Sequence, residues 1–353
     1  MNTVTVNSLL KISTFAFFIF ICAMQANDNN IFADPDEANN YPGYTFQGEY
    51  IGQMYFEDET IKENVGLQIA IYGDKEIGAI LYEKGLPNEQ INSIEDIGMH
   101  KIKGKYEDSA LLLEGEFPIR LQHAHGRLTA LDEDNNYLGH FSKIKRKSPT
   151  LGKVPPKGAT ILFDGTNLDH FINESQMTGS KLLKQGARTS NEFGDMYLHL
   201  EARLGFMPEH RGEQRANSGI YIQNRYEVQI LDSFTKPSFN FGNAALYNTV
   251  APRVNASYPP LTWQTYDIYF QAPRFNDDGT KMENARVTVY LNGILVHKDI
   301  ELESGTGAGA SREEVPKAEL YLQDHGGDPI HFRNVWLIED DLELPSVINL
   351  SSR

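Results

Sequence analysis

The chain of 353 residues contains one cysteine, Cys22. Without a second thiol there is no intramolecular disulfide, no thiolate nucleophile after removal of its segment and no cysteine-based metal site. Phe20 and Ile21 precede Cys22 where lipid attachment would need small residues. Basic excess is also missing: 32 Lys and Arg stand against 48 Asp and Glu, a net charge of −16. A nucleic-acid backbone needs a basic surface, so nucleic acid is excluded as a partner. No phosphate loop, dinucleotide fingerprint or Gly-x-Ser-x-Gly elbow occurs. Nor does any stretch carry a sustained helical period.

What is present is rich in turns and aromatics, with 29 Gly, 17 Tyr and 19 Phe, a composition suited to β structure. Lys11 is the only charge before the apolar run Ile12 to Met24, which is too short to span a bilayer comfortably. Residues 1–26 therefore read as a signal peptide cut after Ala26, leaving an exported chain, periplasmic or extracellular, with no membrane span. The alternative is an uncleaved anchor. Residues 27–45 are polar, contain Asp34-Pro35 and Tyr41-Pro42-Gly43, and read as a flexible N-terminus. Short alternating runs between 46 and 147, such as Val65 to Tyr72 and Ile77 to Tyr82, predict a small antiparallel β domain. The basic run from Lys143 to Lys157 holds Pro149, Pro155 and Pro156, and 148–157 is expected to be a Pro-rich linker. Such a run could hold an anion; a solvated linker is the plainer reading.

From 158 to 342 strands follow one another without intervening helices, which predicts a sandwich; 343–353 would be a tail. Val287 to Leu291 and Ile294 to His297 flank Asn292-Gly293, the favoured two-residue hairpin turn. Residues 203–217 and 232–261 lack alternation, and loops of that length are commonly functional.

Glu227 and Gln229 share one face of a strand, and Asp232 joins them only if a bulge intervenes. Two carboxylates along one face suit glycosidic chemistry, although an edge strand with solvated acids fits equally. His325, in the turn Asp324 to Pro329, is a candidate general base, with Arg333 and Gln323 as neighbours. Asn217 and Tyr221 could bind sugar hydroxyls, while Tyr247 and Trp263 could stack on a pyranose or simply fill a core. His123 and His125 could form half a metal site, with no third ligand evident.

Several segments together resemble the 3-keto-disaccharide hydrolase domain. They are Ile161 to Leu168, Asn217-Ser218-Gly219-Ile220-Tyr221, Tyr226 to Asp232, Trp263 to Ile268, Val289 to Gly293, Leu322 to Gly326 and Phe332-Arg333-Asn334-Val335. The resemblance implies an all-β chain with a C-terminal concanavalin A-like jelly-roll sandwich after the small β domain. It also implies cleavage of glycosides oxidised at C3, by hydrolysis or by elimination across C1–C2. On that chemistry His325 would be the base with Glu227 as runner-up, and Arg333 would steady the enolate. Asp232 and Gln229 would orient hydroxyls. A divalent metal ion held by Glu227 and His325 is a further expectation. The competing readings are a non-catalytic, lectin-like carbohydrate-binding module and a surface protein whose first domain docks a partner.

Overall fold

The computed structural model describes residues 30–339 apart from 57–59, 74, 91–97, 108–109, 115–117, 125–126, 307–308, 310 and 312. The expected signal segment, Cys22, His125 and the tail lie outside the described residues.

The first domain is a closed eight-stranded antiparallel barrel. Its strands are β1 Gly48–Tyr55, β2 Ile61–Ile71, β3 Glu76–Tyr82, β4 Met99–Glu107, β5 Ala110–Glu114, β6 Ile119–Ala124, β7 Arg127–Leu131 and β8 Tyr137–Ile144. Alternation drives the closure. Leu67, Ile69 and Ile71, Ile77, Ala79 and Leu81, and Leu111 and Leu113 point into one core. The barrel shuts where β1 pairs with β8, Glu49 opposite Ile144 and Met54 opposite Gly139, so no edge is left to pair elsewhere.

The second domain is a sandwich of strands β9 Thr160–Phe163, β10 Leu183–Lys184, β11 Arg188–Phe193, β12 Met196–Arg203, β13 Asn217–Ile222, β14 Tyr226–Leu231, β15 Trp263–Gln271, β16 Arg274–Phe275, β17 Lys281–Glu283, β18 Ala285–Leu291, β19 Ile294–Leu302, β20 Ala318–Leu322 and β21 His331–Glu339. A seven-stranded sheet runs β10-β21-β12-β15-β18-β19, with β9 on β21, and faces a four-stranded sheet β11-β20-β13-β14. The inner faces supply the core: Leu198, Leu200, Ile268, Phe270, Val289 and Phe332 from one, and Ile220, Val228, Ile230 and Leu322 from the other. The hairpin read at Asn292-Gly293 joins β18 to β19, with φ of 54° and 79° at the two turn residues.

Of residues 27–45, expected to be a flexible N-terminus, those described, 30–45, are held in place. Phe32 exchanges backbone hydrogen bonds with Phe206 at 3.0 and 2.9 Å, and their rings stack at 5.8 Å. A one-turn helix, α1 Pro35–Ala38, follows, with Asp34 as its N-cap. Phe206 and Leu261 of the sandwich enter the hydrophobic cluster of the barrel, so the two domains share buried apolar surface.

The linker is not solvated along its length either. Ser148 and Thr150 are buried, on the outer face of the seven-stranded sheet. Ser148 Oγ lies 2.6 Å from Thr265 Oγ1, Thr150 Oγ1 donates to Asp267 Oδ2 at 2.7 Å, and the Gly152 N–H donates to Glu201 Oε1 at 2.6 Å. Beneath it His199 Nδ1 meets Asp267 Oδ1 at 2.8 Å. These bonds satisfy groups whose burial would otherwise cost free energy.

Candidate active site

In β13 and β14, Ile220, Ile222, Val228 and Ile230 face the core. Period-two alternation therefore turns Asn217, Gly219, Tyr221, Glu227 and Gln229 to the outer face of the four-stranded sheet. The register sets Tyr221 opposite Glu227 and Gly219 opposite Gln229. The Tyr221 hydroxyl donates to Glu227 Oε2 at 2.7 Å. A Cβ at position 219 would lie 2.3 Å from Glu227 Oε1, so only glycine leaves room for this carboxylate.

The loop after β14 returns along that strand. Tyr247 N–H donates to the Glu227 carbonyl at 3.1 Å, and Gln229 N–H to the Ala245 carbonyl at 2.9 Å. Glu227 is thereby only 2% exposed. Burial pushes its carboxyl up to about 7; the Glu213 charge acts in the same sense, and the Tyr221 hydrogen bond opposes both. Burial and the neighbouring Glu227 carboxylate raise the Tyr221 phenol far above its ordinary range, so it remains a proton donor. Gln323 reaches the Tyr221 hydroxyl with Nε2 at 3.4 Å. Its buried Oε1 has no partner among the described residues, an acceptor suited to a sugar hydroxyl. The Tyr247 hydroxyl donates to Glu213 Oε1 at 3.3 Å, bringing a second acid to the same rim.

His325 stands at one end of this face with its side chain 44% exposed, Nδ1 3.8 Å from Asp328 Oδ2. Asp328 Oδ2 also accepts the Asn217 backbone N–H at 2.7 Å, and burial raises the Asp328 carboxyl. Asn217 and Tyr221 are four residues apart on one strand, about 13 Å. His325 thus lies at the Asn217 end of this face, away from Glu227. The Asn217 side-chain amide is occupied, donating to the Glu213 carbonyl at 2.8 Å.

The other sequence candidates are tied up in contacts of their own. Gln229 is buried and accepts the Ile230 N–H at 3.1 Å. Asp232 is bound by Arg215, Nε to Oδ2 at 2.6 Å with both side chains buried. Arg215 in turn lies 4.7 Å over the Tyr72 ring, so Asp232 belongs to the seam between the domains. Arg333 donates to Glu201 Oε2 at 2.7 Å and covers the Trp263 ring at 4.0 Å. Both stand on the outer face of the seven-stranded sheet, across the sandwich from Glu227, because their β21 and β15 neighbours Phe332 and Ile268 fill the core. In the barrel, His123 rests edge-on against Phe46.

Sequence reasoning missed Glu213, Asp328 and Arg215. Glu213 and Arg215 sit in a stretch without alternation, where no face can be assigned. Asp328 lay inside the turn already singled out for His325.

Among the described residues, no three His, Cys, Asp or Glu side chains gather as a metal-ligating group. Glu227 and His325, expected to share a cation, lie at opposite ends of the face. The described residues therefore gather no ligand set around that pair.

A family model described as 3-keto-alpha-glucoside-1,2-lyase-like domain matches residues 158–338, the whole sandwich. A crystal structure from Parabacteroides distasonis, of a protein given the provisional name of glycosyl hydrolase, is 30% identical; the alignment covers 52% of this chain and 84% of that one, with a TM-score of 0.48. A second from the same organism, with the same provisional name, is 17% identical over 53% of this chain and 99% of that one, with a TM-score of 0.40. No curated protein matches. The chain belongs to the family of 3-keto-alpha-glucoside-1,2-lyase-like domains, and is a carbohydrate-active, glycosidase-like enzyme. The barrel lies outside the family match.

Proposed function

We propose that the chain cleaves 3-keto-glycosides by elimination across C1–C2, with Glu227 as the base. The observation that carries this reading is the buried Glu227 carboxylate, raised to about 7 and hydrogen-bonded to Tyr221. A base with that affinity for protons exchanges them efficiently near neutral pH. The C3 ketone acidifies the C2 hydrogen. Glu227 takes that proton, and the electron pair moves into the carbonyl to form an enolate. Once Glu227 is protonated, the Tyr221 hydroxyl is released to donate to the enolate oxygen, with Gln323 Nε2 beside it. Collapse of the enolate forms C1=C2 and breaks the C1–O bond, and Glu227 returns its proton to the departing oxygen. Water added to the resulting enone makes the overall change a hydrolysis. His325, held near Asp328, would contact the more distant part of the substrate.

The second acid, Glu213, supports an alternative, direct two-carboxylate hydrolysis. Export through residues 1–26 is part of the same proposal and is checked by N-terminal sequencing of protein recovered outside the cytoplasm.

The test is release of a chromogenic aglycone from a 3-keto-glucoside, with the unoxidised glucoside as control, each with and without chelator. Release from the keto-sugar alone supports elimination. Equal release from both sugars would point to Glu213 and Glu227 working as a hydrolytic pair. No release from either would return the chain to the carbohydrate-binding reading.

A further inference from the structure

A cleft of about 640 Å³ opens where the barrel meets the sandwich, away from Glu227. That is within the roughly 300–1,000 Å³ typical of small-ligand sites. One wall is the end of β8 and the start of the linker. Lys143, Lys145 and Lys147 alternate there and are all exposed, so they face one side. Arg146 points the other way and grips Glu49, Nε to Oε2 at 2.8 Å and a terminal nitrogen to Oε1 at 2.6 Å.

This arrangement fixes the sign of the cleft. Its carboxylates are Glu49 and Asp36, against Arg146 and the three lysines. Arg146 neutralises Glu49, which leaves three lysines against one acid. Among the described residues none of the three lysines is in an ion pair; Lys143 donates instead to the Thr45 carbonyl at 2.7 Å. In a chain of net charge −16, a basic concavity is a local reversal, and a concave wall of one sign concentrates its field on whatever enters. Apolar residues also line it, among them Tyr44, Pro259, Pro260 and Leu261, with Trp263 beside them under the Arg333 and Arg203 guanidiniums. Trp263, expected from the sequence to stack on a pyranose, therefore lines this cleft and stands away from Glu227.

We infer that the interdomain cleft binds a sugar carrying an anionic group, a carboxylate or a sulfate, as a site separate from Glu227 and Tyr221. The ring would lie along Tyr44, Pro259 and Pro260, and the anion would meet Lys145 and Lys147. The choice of a sugar rests on the carbohydrate-active family, whereas the anionic preference rests on the cleft alone.

The test is calorimetric titration of the full chain with three disaccharides: one ending in glucuronic acid, one in galactose 6-sulfate and one in neutral glucose. An acidic disaccharide should bind at least about tenfold more tightly than the neutral one, and lose that advantage between about 50 and 500 mM salt. The order of the two acidic sugars tells which anion is preferred. In Lys145→Glu/Lys147→Glu the acidic sugars should lose about tenfold or more in affinity, while cleavage of a neutral 3-keto-glucoside is unchanged. Lys145→Ala/Lys147→Ala, checked by its melting curve, repeats the test without adding charge. Equal binding of acidic and neutral sugars, or unchanged affinity in both double variants, would overturn the inference. Absence of keto-sugar cleavage by the unaltered chain, with acidic binding intact, would count against the Glu227 proposal alone.

Discussion

The Tyr221 hydroxyl and the Glu227 carboxylate meet at 2.7 Å across two antiparallel strands, and the glycine opposite Gln229 keeps the space beside them open. The pair sets both how readily the carboxylate accepts a proton and what donates once it has.

Glu227→Gln should lower kcat/KM for a chromogenic 3-keto-glucoside by about 10³-fold, the middle of the range for a lost general base. The same substitution should stabilise the fold at pH 8. A carboxyl shifted from 4.5 to about 7 on folding binds more protons folded than unfolded, so stability falls as pH rises through that window. The cost above it is roughly 3 kcal/mol. A melting temperature for Glu227→Gln no higher than wild type at pH 8, with the two converging at no lower pH, would contradict this.

In wild type, kcat/KM should climb with pH to a plateau, with the acid limb near 7. The Tyr221 hydrogen bond holds the Glu227 carboxyl down, so Tyr221→Phe should move that limb to higher pH. Loss of the enolate donor should also cut the plateau about 10- to 100-fold. A pH-rate profile of the variant that overlays wild type after scaling would remove Tyr221 from the mechanism.

Asp232→Asn leaves Arg215 buried beside a neutral partner. Breaking a buried pair on one side costs about 3–5 kcal/mol. Urea unfolding should show that loss, while turnover per folded molecule stays within about threefold of wild type. A large fall in turnover without destabilisation would give Asp232 back the substrate-orienting role expected from its position after β14.

Arg333→Met keeps the bulk over Trp263 but removes the bond to Glu201. The burial of Glu201 makes destabilisation the expected result, about 1–3 kcal/mol, with cleavage of the keto-sugar preserved. Steady-state kinetics at a temperature where both proteins are folded separates the two effects.

Much of the architecture follows from short-range pattern. The alternation of Ile220, Ile222, Val228 and Ile230 identifies two strands and their buried face, and Asn292-Gly293 is a turn on backbone grounds alone. The pairing of Tyr221 with Glu227 needs the register of β13 on β14, which side-chain alternation constrains and does not specify. Barrel closure depends on β1 finding β8 across some ninety intervening positions. The order in 30–45 was hidden for a related reason: Phe32 and Tyr41 look like residues of a polar tail until Phe206, far along the chain, is placed against them. Arg333 enters the sequence reading as a neighbour of His325 and Trp263 as a surface for a pyranose, each on its side-chain chemistry. Alternation along β21 and β15 turns them outward on the other sheet.

The linker marks where a boundary drawn by resemblance departs from one drawn by burial. The family match begins at residue 158, yet Ser148, Thr150 and Gly152 already supply hydrogen bonds to Thr265, Asp267 and Glu201. A fragment trimmed to the match would bare His199, Asp267 and Glu201 on the back of the sandwich, together with Phe206 and Leu261 at its side. In this protein the sandwich wears a belt drawn from the segment that follows the barrel, so its outer sheet is fully bonded only in a chain that begins before Ser148.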